Sequence, residues 1–150
     1  MERSLVLIKP DGIQRGLAGN IIWRLERRGL KIVAMKMIQM DKDLAHRHYA
    51  IHKDKPFFND LVEFITSTPI IAIVFAGEKA VEVIRQTMGE TNSAKAAPGT
   101  IRGDFALDVQ HNLVHGSDSP ENAAKEISIF FSPEEIMDYS RNIDRWITES

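Results

Sequence analysis

Cysteine is absent from the 150 residues of the chain. The absence excludes a disulfide framework and a zinc site built on thiolates, and it fits a reducing compartment. Long hydrophobic runs are missing as well. The apolar run near the N-terminus covers only residues 5–8, which is too short for the core of a signal peptide or for a membrane span. We therefore expect a cytoplasmic protein without a membrane partner.

The chain also lacks an excess of basic charge. It contains 19 lysines and arginines and 21 acidic residues, which gives a net charge of −2. General nucleic-acid binders usually need a strongly basic face, so we expect no specific nucleic acid as a partner. Glycine-rich phosphate loops of the GxxxxGK[ST] and GxGxxG types do not occur either. If this chain binds phosphates, it must hold them with side chains.

The length predicts one compact domain over residues 1–150. Hydrophobic residues make up 43% of the chain and charged residues 27%, as in ordinary globular proteins. A domain of this size can bury a core without metals or disulfides.

The hydrophobic pattern predicts four strands, at residues 4–8, 31–40, 70–76 and 112–115. Helices are predicted at residues 17–28, 41–49, 60–66 and 78–88, and after the Ser-Pro pairs at 119–120 and 132–133. Residues 10–12 read as a turn, and residues 89–104 as a long ordered loop of the kind that is often functional. The tail from Tyr139 carries Trp146 and Ile147, which need a partner surface.

Without its short helices, this order reduces to βαββαβ. The pattern predicts an α+β sandwich with a four-stranded antiparallel sheet and helices on one face. Such a topology does not specify a function.

His115 lies at the end of a predicted strand, in the run Asn112 to Asp118, with Gly116 beside it. A neutral imidazole is a good nucleophile at cytoplasmic pH, and the glycine leaves room for a phosphate to approach. Glu126 follows on the next predicted helix, where a carboxylate can orient an imidazole and stabilise its positive charge. Each residue alone is also compatible with an ordinary surface role.

Three cations stand on turn-rich segments, namely Lys9, Arg85 and Arg102. Guanidinium groups make paired hydrogen bonds to phosphate oxygens, and lysine supplies a point charge. With Thr91, they are the candidates for holding phosphates. Each of them could instead be a surface cation or part of a structural ion pair.

Aromatic residues and histidines cluster between residues 46 and 58. Tyr49 and Phe57 could stack on a nucleobase without reading its identity. His46, His48 and His52 lack acidic or cysteine companions in the sequence, which disfavours a directly bound metal.

Together these segments resemble the nucleoside diphosphate kinase family, from about residue 4 to residue 135. The resemblance is carried, in order and spacing, by residues 8–12 (IKPDG), 48–49 (HY), 55–58 (KPFF), 89–92 (GETN), 98–104 (PGTIRGD) and 112–119 (NLVHGSDS).

The resemblance implies a ferredoxin-like core and a ping-pong reaction in which a nucleoside triphosphate phosphorylates His115 and a nucleoside diphosphate collects the group. It places the phosphates and ribose against Lys9, Arg85, Thr91, Arg102 and Asn112, and it counts Lys9 also among the catalytic residues.

The same resemblance implies that Phe57 stacks on the base and that Tyr49 packs near the phosphates. Glu126 and Ser117 would support His115. Mg²⁺ would be held mainly by nucleotide phosphates, with Asp118 contacting it through water. It further implies a homo-oligomer, usually a hexamer and sometimes a tetramer, and broad base specificity.

Three alternatives remain open at this stage. A fold relative without catalysis could bind nucleotides or serve as a scaffold. A ferredoxin-like RNA-binding module is disfavoured by the acidic balance and by the lack of an aromatic sheet motif. A histidine phosphatase would need an Arg-His-Gly nucleophile segment, which the sequence does not contain.

Overall fold

The computed structural model describes residues 1–149. Its strands are β1 (Glu2–Ile8), β2 (Lys31–Ile38), β3 (Ile70–Gly77) and β4 (Val114–Gly116). Its α-helices are α1 (Pro10–Gln14), α2 (Ala18–Arg27), α3 (Lys42–His48), α4 (Phe58–Thr66), α5 (Ala80–Met88), α6 (Ile101–Phe105) and α7 (Pro120–Phe130). Short 3₁₀ turns occur at Ala50–His52, Ser93–Lys95, Pro133–Glu135 and Asp144–Trp146. Ser150, the end of the predicted domain and tail, lies outside the described residues.

The four strands form one sheet in the order β2-β3-β1-β4, and every neighbouring pair is antiparallel. The predicted α+β fold with a four-stranded antiparallel sheet is therefore confirmed, with its ferredoxin-like βαββαβ order. β4 pairs with β1 so that His115 stands opposite Leu7. The sheet thus places the candidate nucleophile on a strand next to the buried centre of the fold.

The expectation that helices cover one face is wrong, because helices pack on both faces of the sheet. Leu5 and Leu7 of β1 belong to a buried cluster with residues of α3, α4 and α7. Val6 and Ile8 belong to a second cluster with residues of α2, α5 and α6. The unbroken apolar runs of β1 and β3 carry this information, since a strand buried on both faces loses the alternation of apolar and polar residues.

The predicted helix starts at Asp41 and Ser119 are confirmed. The Asp41 carboxylate accepts a hydrogen bond from Leu44 N at 2.8 Å, and the Ser119 hydroxyl accepts one from Asn122 N at 3.0 Å. At Ser132, where a helix is also predicted, a capping box with Glu135 forms, but only a 3₁₀ turn follows. The cap therefore specifies where a helical element begins, whereas its length depends on the tertiary packing of the residues that follow.

Two segments predicted as irregular contain short helices. Residues 10–12 form the first turn of α1, with Pro10 at a position where its missing N–H is harmless. The predicted loop of residues 89–104 contains a 3₁₀ turn and the start of α6, which Thr100 caps by accepting a hydrogen bond from Gly103 N at 3.0 Å. A five-residue helix is too short to show a 3.6-residue hydrophobic period, so the sequence pattern missed both.

The tail runs beside the start of β2. Tyr139 donates its hydroxyl proton to the carbonyl of Ile32, and Arg141 donates to the carbonyls of Gly29 and Leu30. Trp146 remains 78% exposed, so the described residues provide no cover for it. Among residues 1–149, no helix is long and apolar enough to cross a bilayer.

Candidate active site

His115 projects from β4 towards α7 and is about two-thirds buried, with 30% of its side chain exposed. Its Nε2 is hydrogen-bonded to Oε1 of Glu126, which lies on α7. A carboxylate at Nε2 favours the tautomer with the proton on that nitrogen, which leaves Nδ1 with a free lone pair. The predicted pairing of these two residues is thus present in the structure, and it defines which nitrogen can act as a nucleophile.

The structure explains the glycine at position 116 differently from the sequence, which suggested that it leaves room for a phosphate. A Cβ built at this position would lie 2.8 Å from Sδ of Met88 and 3.2 Å from Cγ2 of Ile84. The glycine therefore allows close packing of β4 on α5, and the added atom would meet the core instead of an approaching phosphate.

His48 is a site residue that the sequence pattern did not link to the nucleophile. Its ring lies perpendicular to that of His115, at a centroid distance of 4.8 Å, and also contacts Phe130. Burial lowers the pKa of His48 well below its usual value, and the neighbouring His115, His52 and Lys9 lower it further. Neither ring nitrogen has a hydrogen-bond partner within residues 1–149. The sequence did place His48 near the end of a predicted helix, but the hydrophobic pattern did not show which strand that helix faces.

The three histidines grouped by the sequence separate in space. His46 packs against Phe58 and His52 against Phe57, with centroid distances of 5.2 and 5.9 Å. Only His48 approaches the site, where ligand atoms of His48, His115 and Glu126 lie within 4.8 Å of one another. A metal there would have to displace the hydrogen bond between His115 and Glu126. We therefore assign no directly bound metal, and that expectation stays a prediction.

Lys9 follows β1, and its ammonium group donates a hydrogen bond to the side-chain oxygen of Asn112. Burial lowers the pKa of Lys9 to about 8, an effect that the charge of Asp11 opposes and that of Arg102 reinforces. Asn112 is itself buried and donates from its amide to the carbonyl of Thr91 at 3.0 Å. The structure thus links three residues that lie far apart in the sequence.

Arg102 is 5% exposed and ties two other segments of backbone together. Its Nε donates to the carbonyl of Asn112 at 3.1 Å, and its two terminal nitrogens donate to Gly89 at 3.0 Å and to Val114 at 2.6 Å. Burial lowers the pKa of Arg102 to about 10, and the charge of Arg85 adds to the effect. Three of its five N–H groups serve these carbonyls, so two are left for a ligand.

Arg85 and Thr91 border an open cavity of about 1080 Å³ that Asp118 also lines. Arg85 donates to the carbonyl of Gly116 at 3.2 Å, which brings its charge next to the nucleophile. Asp118 accepts a hydrogen bond from the side chain of Asn122 at 2.6 Å. Of the predicted phosphate-binding residues, Arg85 and Thr91 line this cavity, whereas Lys9, Arg102 and Asn112 are not part of its lining.

Three predicted site residues remain, namely Tyr49, Phe57 and Ser117. Tyr49 stacks on His48 at a centroid distance of 4.6 Å, and burial raises its pKa to about 12. Phe57 is 45% exposed, with the ammonium group of Lys55 over its ring at 5.6 Å from the centroid. Ser117 is fully buried, and its hydroxyl accepts a hydrogen bond from Leu5 N at 3.4 Å. In this structure Ser117 therefore anchors the end of β4 to β1.

The fold and the pairing of His115 with Glu126 are those expected of a phosphotransferase, and comparison with known proteins identifies the class as a nucleotide-binding kinase. A family model described as nucleoside diphosphate kinase matches residues 2–136. The chain belongs to the nucleoside diphosphate kinase family. It is therefore an enzyme of the phosphotransferase class.

Individual relatives are similar over nearly their whole length. The nucleoside diphosphate kinase of Roseiflexus sp. (strain RS-1) is 56% identical over 99% of this chain and 100% of its own. The structure of a halophilic nucleoside diphosphate kinase from Halobacterium salinarum, in complex with CDP, superposes with a TM-score of 0.95 at 50% identity, covering 98% of both chains. A nucleoside diphosphate kinase family protein from Babesia bovis gives a TM-score of 0.96 at 42% identity, covering 99% of this chain and 100% of its own.

Proposed function

We propose that this protein transfers the γ-phosphoryl group of a nucleoside triphosphate to a nucleoside diphosphate through a phosphohistidine at His115. The observation that carries the proposal is the hydrogen bond from Nε2 of His115 to Glu126. It orients the imidazole so that Nδ1 is available for attack. Two cations, the buried Arg102 and the partly buried Lys9, are hydrogen-bonded to Asn112, three residues before His115.

In the first half-reaction, Nδ1 of His115 attacks the γ-phosphorus and a P–N bond forms. The bond between the γ-phosphorus and the β,γ-bridging oxygen breaks, and the nucleoside diphosphate leaves. The proton on Nε2 stays with the imidazole, where Glu126 stabilises the positive charge that develops on the ring. The second half-reaction reverses these steps with a different diphosphate.

The cations supply most of the remaining catalysis. Phosphoryl transfer depends on positioning and on neutralising the charge of the phosphate oxygens. Lys9 is hydrogen-bonded to Asn112, three residues before His115, and Arg85 to the carbonyl of Gly116, which follows it. Within residues 1–149, three of the five N–H groups of Arg102 bond to carbonyls, and two remain for a phosphate. Thr91 and Asn112 complete the set of donors for phosphates and ribose, while the ring of Tyr49 packs against that of His48. Ser117 acts indirectly by fixing the strand end that bears His115.

We propose that Phe57 stacks on the nucleobase. The ring is 45% exposed, and stacking on an aromatic ring does not read base edges, so any base could be accepted. Purine and pyrimidine nucleotides would then both be substrates. The CDP bound by the Halobacterium relative supports acceptance of a pyrimidine nucleotide.

Mg²⁺ fits the site as a companion of the nucleotide. The cavity offers the Asp118 carboxylate beside Arg85, and one oxygen of that carboxylate is already engaged by Asn122. One free carboxylate oxygen suits a cation that keeps several waters and binds mainly to phosphates. When bound, Mg²⁺ would neutralise phosphate charge, and Asp118 would contact it through water.

We further propose a single domain that assembles into a cytoplasmic homo-oligomer, a hexamer or a tetramer. β2 is an edge strand of the sheet, and its Met35 and Met37 are 53% and 60% exposed. An unpaired edge with exposed apolar side chains favours association. Exposed Trp146 in the tail supports the same proposal.

The test uses the purified protein, ATP labelled on its γ-phosphate and a chase with GDP. We expect an acid-labile, base-stable label on the protein that moves to GTP during the chase and is absent in His115→Ala. Glu126→Gln should label at least about tenfold more slowly, and Glu121→Gln, an exposed change on the same helix, should label normally.

Three other outcomes would contradict the proposal. Label that is released as free phosphate without GDP indicates a histidine phosphatase. Absence of label in a folded protein that binds ADP indicates a nucleotide-binding relative without catalysis. Labelling that persists in His115→Ala would place the nucleophile elsewhere.

A further inference from the structure

Leu113, two residues before the nucleophile, adopts a strained backbone conformation. Its φ is +73°, and Val114 N donates to the carbonyl of Asn112 at 2.8 Å across it. This closes a three-residue γ-turn of the form with positive φ, which is rare for residues that carry a side chain. Strain of this kind persists only where the surrounding structure enforces it, and it concentrates at functional sites.

Leu113 cannot be exchanged for glycine without loss, because its side chain is fully buried in the second core cluster. The turn has a specific effect on the site. It separates Asn112, which contacts Lys9 and Thr91, from Val114 and His115 on β4. A different turn would change the direction in which both side chains face.

Two residues at the start of the chain hold the strained turn. Leu113 N donates to Oδ2 of Asp11 at 3.0 Å, and Lys9 N donates to the carbonyl of Leu113 at 2.9 Å. The second bond is backbone to backbone, so a substitution at Lys9 does not remove it. The carboxylate of Asp11 is therefore the side chain on which the N–H of Leu113 depends.

The other carboxylate oxygen of Asp11, Oδ1, is buried and has no hydrogen-bond partner within residues 1–149. A buried oxygen without a partner costs free energy and calls for a reason. The surroundings of Asp11 supply one, since its charge acts on both Lys9 and Arg102. Asp11 thus combines a mechanical contact with an electrostatic one.

We propose that Asp11 is a positioning residue of the phosphotransfer site, holding the turn at Leu113 so that Asn112 and His115 face the phosphates together. The inference rests on the proposed function of His115. Asp11 itself does not touch the imidazole in this arrangement. It acts through the backbone of Leu113 and through its charge beside Lys9.

A purely structural role would predict a different result from a positioning role. If Asp11 only stabilised α1, its loss would lower stability and leave the reaction of the folded molecules unchanged. As a positioning residue, its loss should slow phosphorylation of His115 more than it weakens nucleotide binding, because small displacements of reacting groups cost large factors in rate.

The charge of Asp11 gives a second readout. The titratable or charged groups that act with Lys9 are Asp11 from α1, Arg102 from α6 and His48 from α3. Only Asp11 favours the charged form of Lys9. Removing its charge should therefore shift the alkaline fall of the phosphorylation rate to lower pH.

The experiment compares the wild type with Asp11→Ala, Asp11→Asn and a control, Asp144→Asn. Asp144 also accepts a backbone N–H, from Arg141 at 2.9 Å, but lies in the tail. For each variant, thermal unfolding, ADP affinity and the single-turnover rate of His115 phosphorylation are measured across neutral and alkaline pH.

We expect Asp11→Ala to slow phosphorylation at least about tenfold while ADP affinity changes less than about threefold. Asp11→Asn keeps an oxygen acceptor but loses the charge-assisted bond. Its phosphorylation rate should therefore lie between those of the wild type and Asp11→Ala, and its alkaline fall should occur at lower pH than in the wild type. Asp144→Asn should match the wild type in rate and pH profile.

An Asp11→Ala rate within about twofold of the wild type overturns the proposal. If that variant does not fold, Asp11→Asn decides alone, and an unchanged rate together with an unchanged pH profile overturns it. A wild type that fails to label at His115 contradicts the proposed function instead, whatever the Asp11 variants do.

Discussion

The imidazole of His48 lies edge-on to that of His115, with their planes at 90° and their centroids 4.8 Å apart. Because burial lowers the pKa of His48, this neighbour is neutral at physiological pH. In the proposed reaction, a neutral ring packed against His115 adds no positive charge that would oppose the charge developing on the imidazole.

A first prediction concerns the stability of the protein at acid pH, which the buried and neutral His48 should lower. The folded pKa of His48 is lower than the unfolded value of 6.5, so the unfolded chain binds more protons between the two values. The contribution of His48 to stability is therefore present above about pH 6.5 and is lost progressively as the pH falls below it. His48→Phe, which keeps an aromatic ring but cannot titrate, should show a smaller acid-induced loss of unfolding free energy. Denaturant unfolding at several pH values measures this loss, and His46→Phe, at an exposed position, is the control. The prediction is contradicted if the free energy of unfolding depends on pH in the same way in the wild type and in His48→Phe.

A second prediction follows from the lowered pKa of Lys9. In the proposed mechanism the ammonium form of Lys9 binds phosphate, and with a pKa of about 8 this form is lost in the free enzyme as the pH rises through that value. We expect kcat/KM to fall over this range, because that parameter reports ionisations of the free enzyme. Lys9→Arg keeps its charge at alkaline pH, so this fall should disappear even though the maximal rate is lower. Lys42→Arg, an exposed change on α3, should keep the wild-type profile, and a wild-type profile in Lys9→Arg would assign the ionisation to another group.

A third prediction concerns the structural function of Arg102. Arg102→Lys removes the fork that serves the carbonyls of Asn112, Gly89 and Val114, and a single ammonium group cannot satisfy all three. We expect a loss of about 3 kcal/mol in the free energy of unfolding. Arg24→Lys, at a partly exposed ion pair with Asp104, keeps the positive charge and should cost much less than Arg102→Lys. Chemical denaturation measures both, and equal losses would show that the three carbonyls find other partners.

A fourth prediction tests the stacking surface. Phe57→Ala should weaken ADP and CDP binding by the same factor, roughly 5- to 150-fold, because stacking contributes about 1–3 kcal/mol per base. Stability should change little, since the ring is 45% exposed. Ile51→Ala, at an 82% exposed position of the same segment, serves as the control for calorimetric titration. A loss confined to one of the two nucleotides would mean that the base is read at its edges.

Much of the fold could be predicted from local pattern. The apolar runs of β1 and β3 identify buried strands, and the side chains of Asp41 and Ser119 mark helix starts because each cap bonds a backbone N–H three residues away. The motif around His115 also indicates the family, because its residues are contiguous in the chain. These signals survive in the sequence because the interactions behind them span only a few residues.

Contacts between distant segments could not be read in this way. The sequence grouped His48 with two other histidines of its own segment, whereas α3 delivers it alone to His115 on β4. It suggested Arg102 as a phosphate ligand, but not that three backbone carbonyls from two segments already hold its guanidinium group. The covering of both sheet faces and the strained turn at Leu113 likewise depend on residues far apart in the chain.

The sequence by itself thus specifies the types of element, their order and the chemical groups of the site. The direction of each group depends on long-range packing. His115 is oriented by Glu126 from the following helix, and the turn before it by Asp11 from the start of the chain. Such orientations arise because a buried polar group must find a hydrogen-bond partner wherever the fold provides one, and a local pattern carries no record of where that partner comes from.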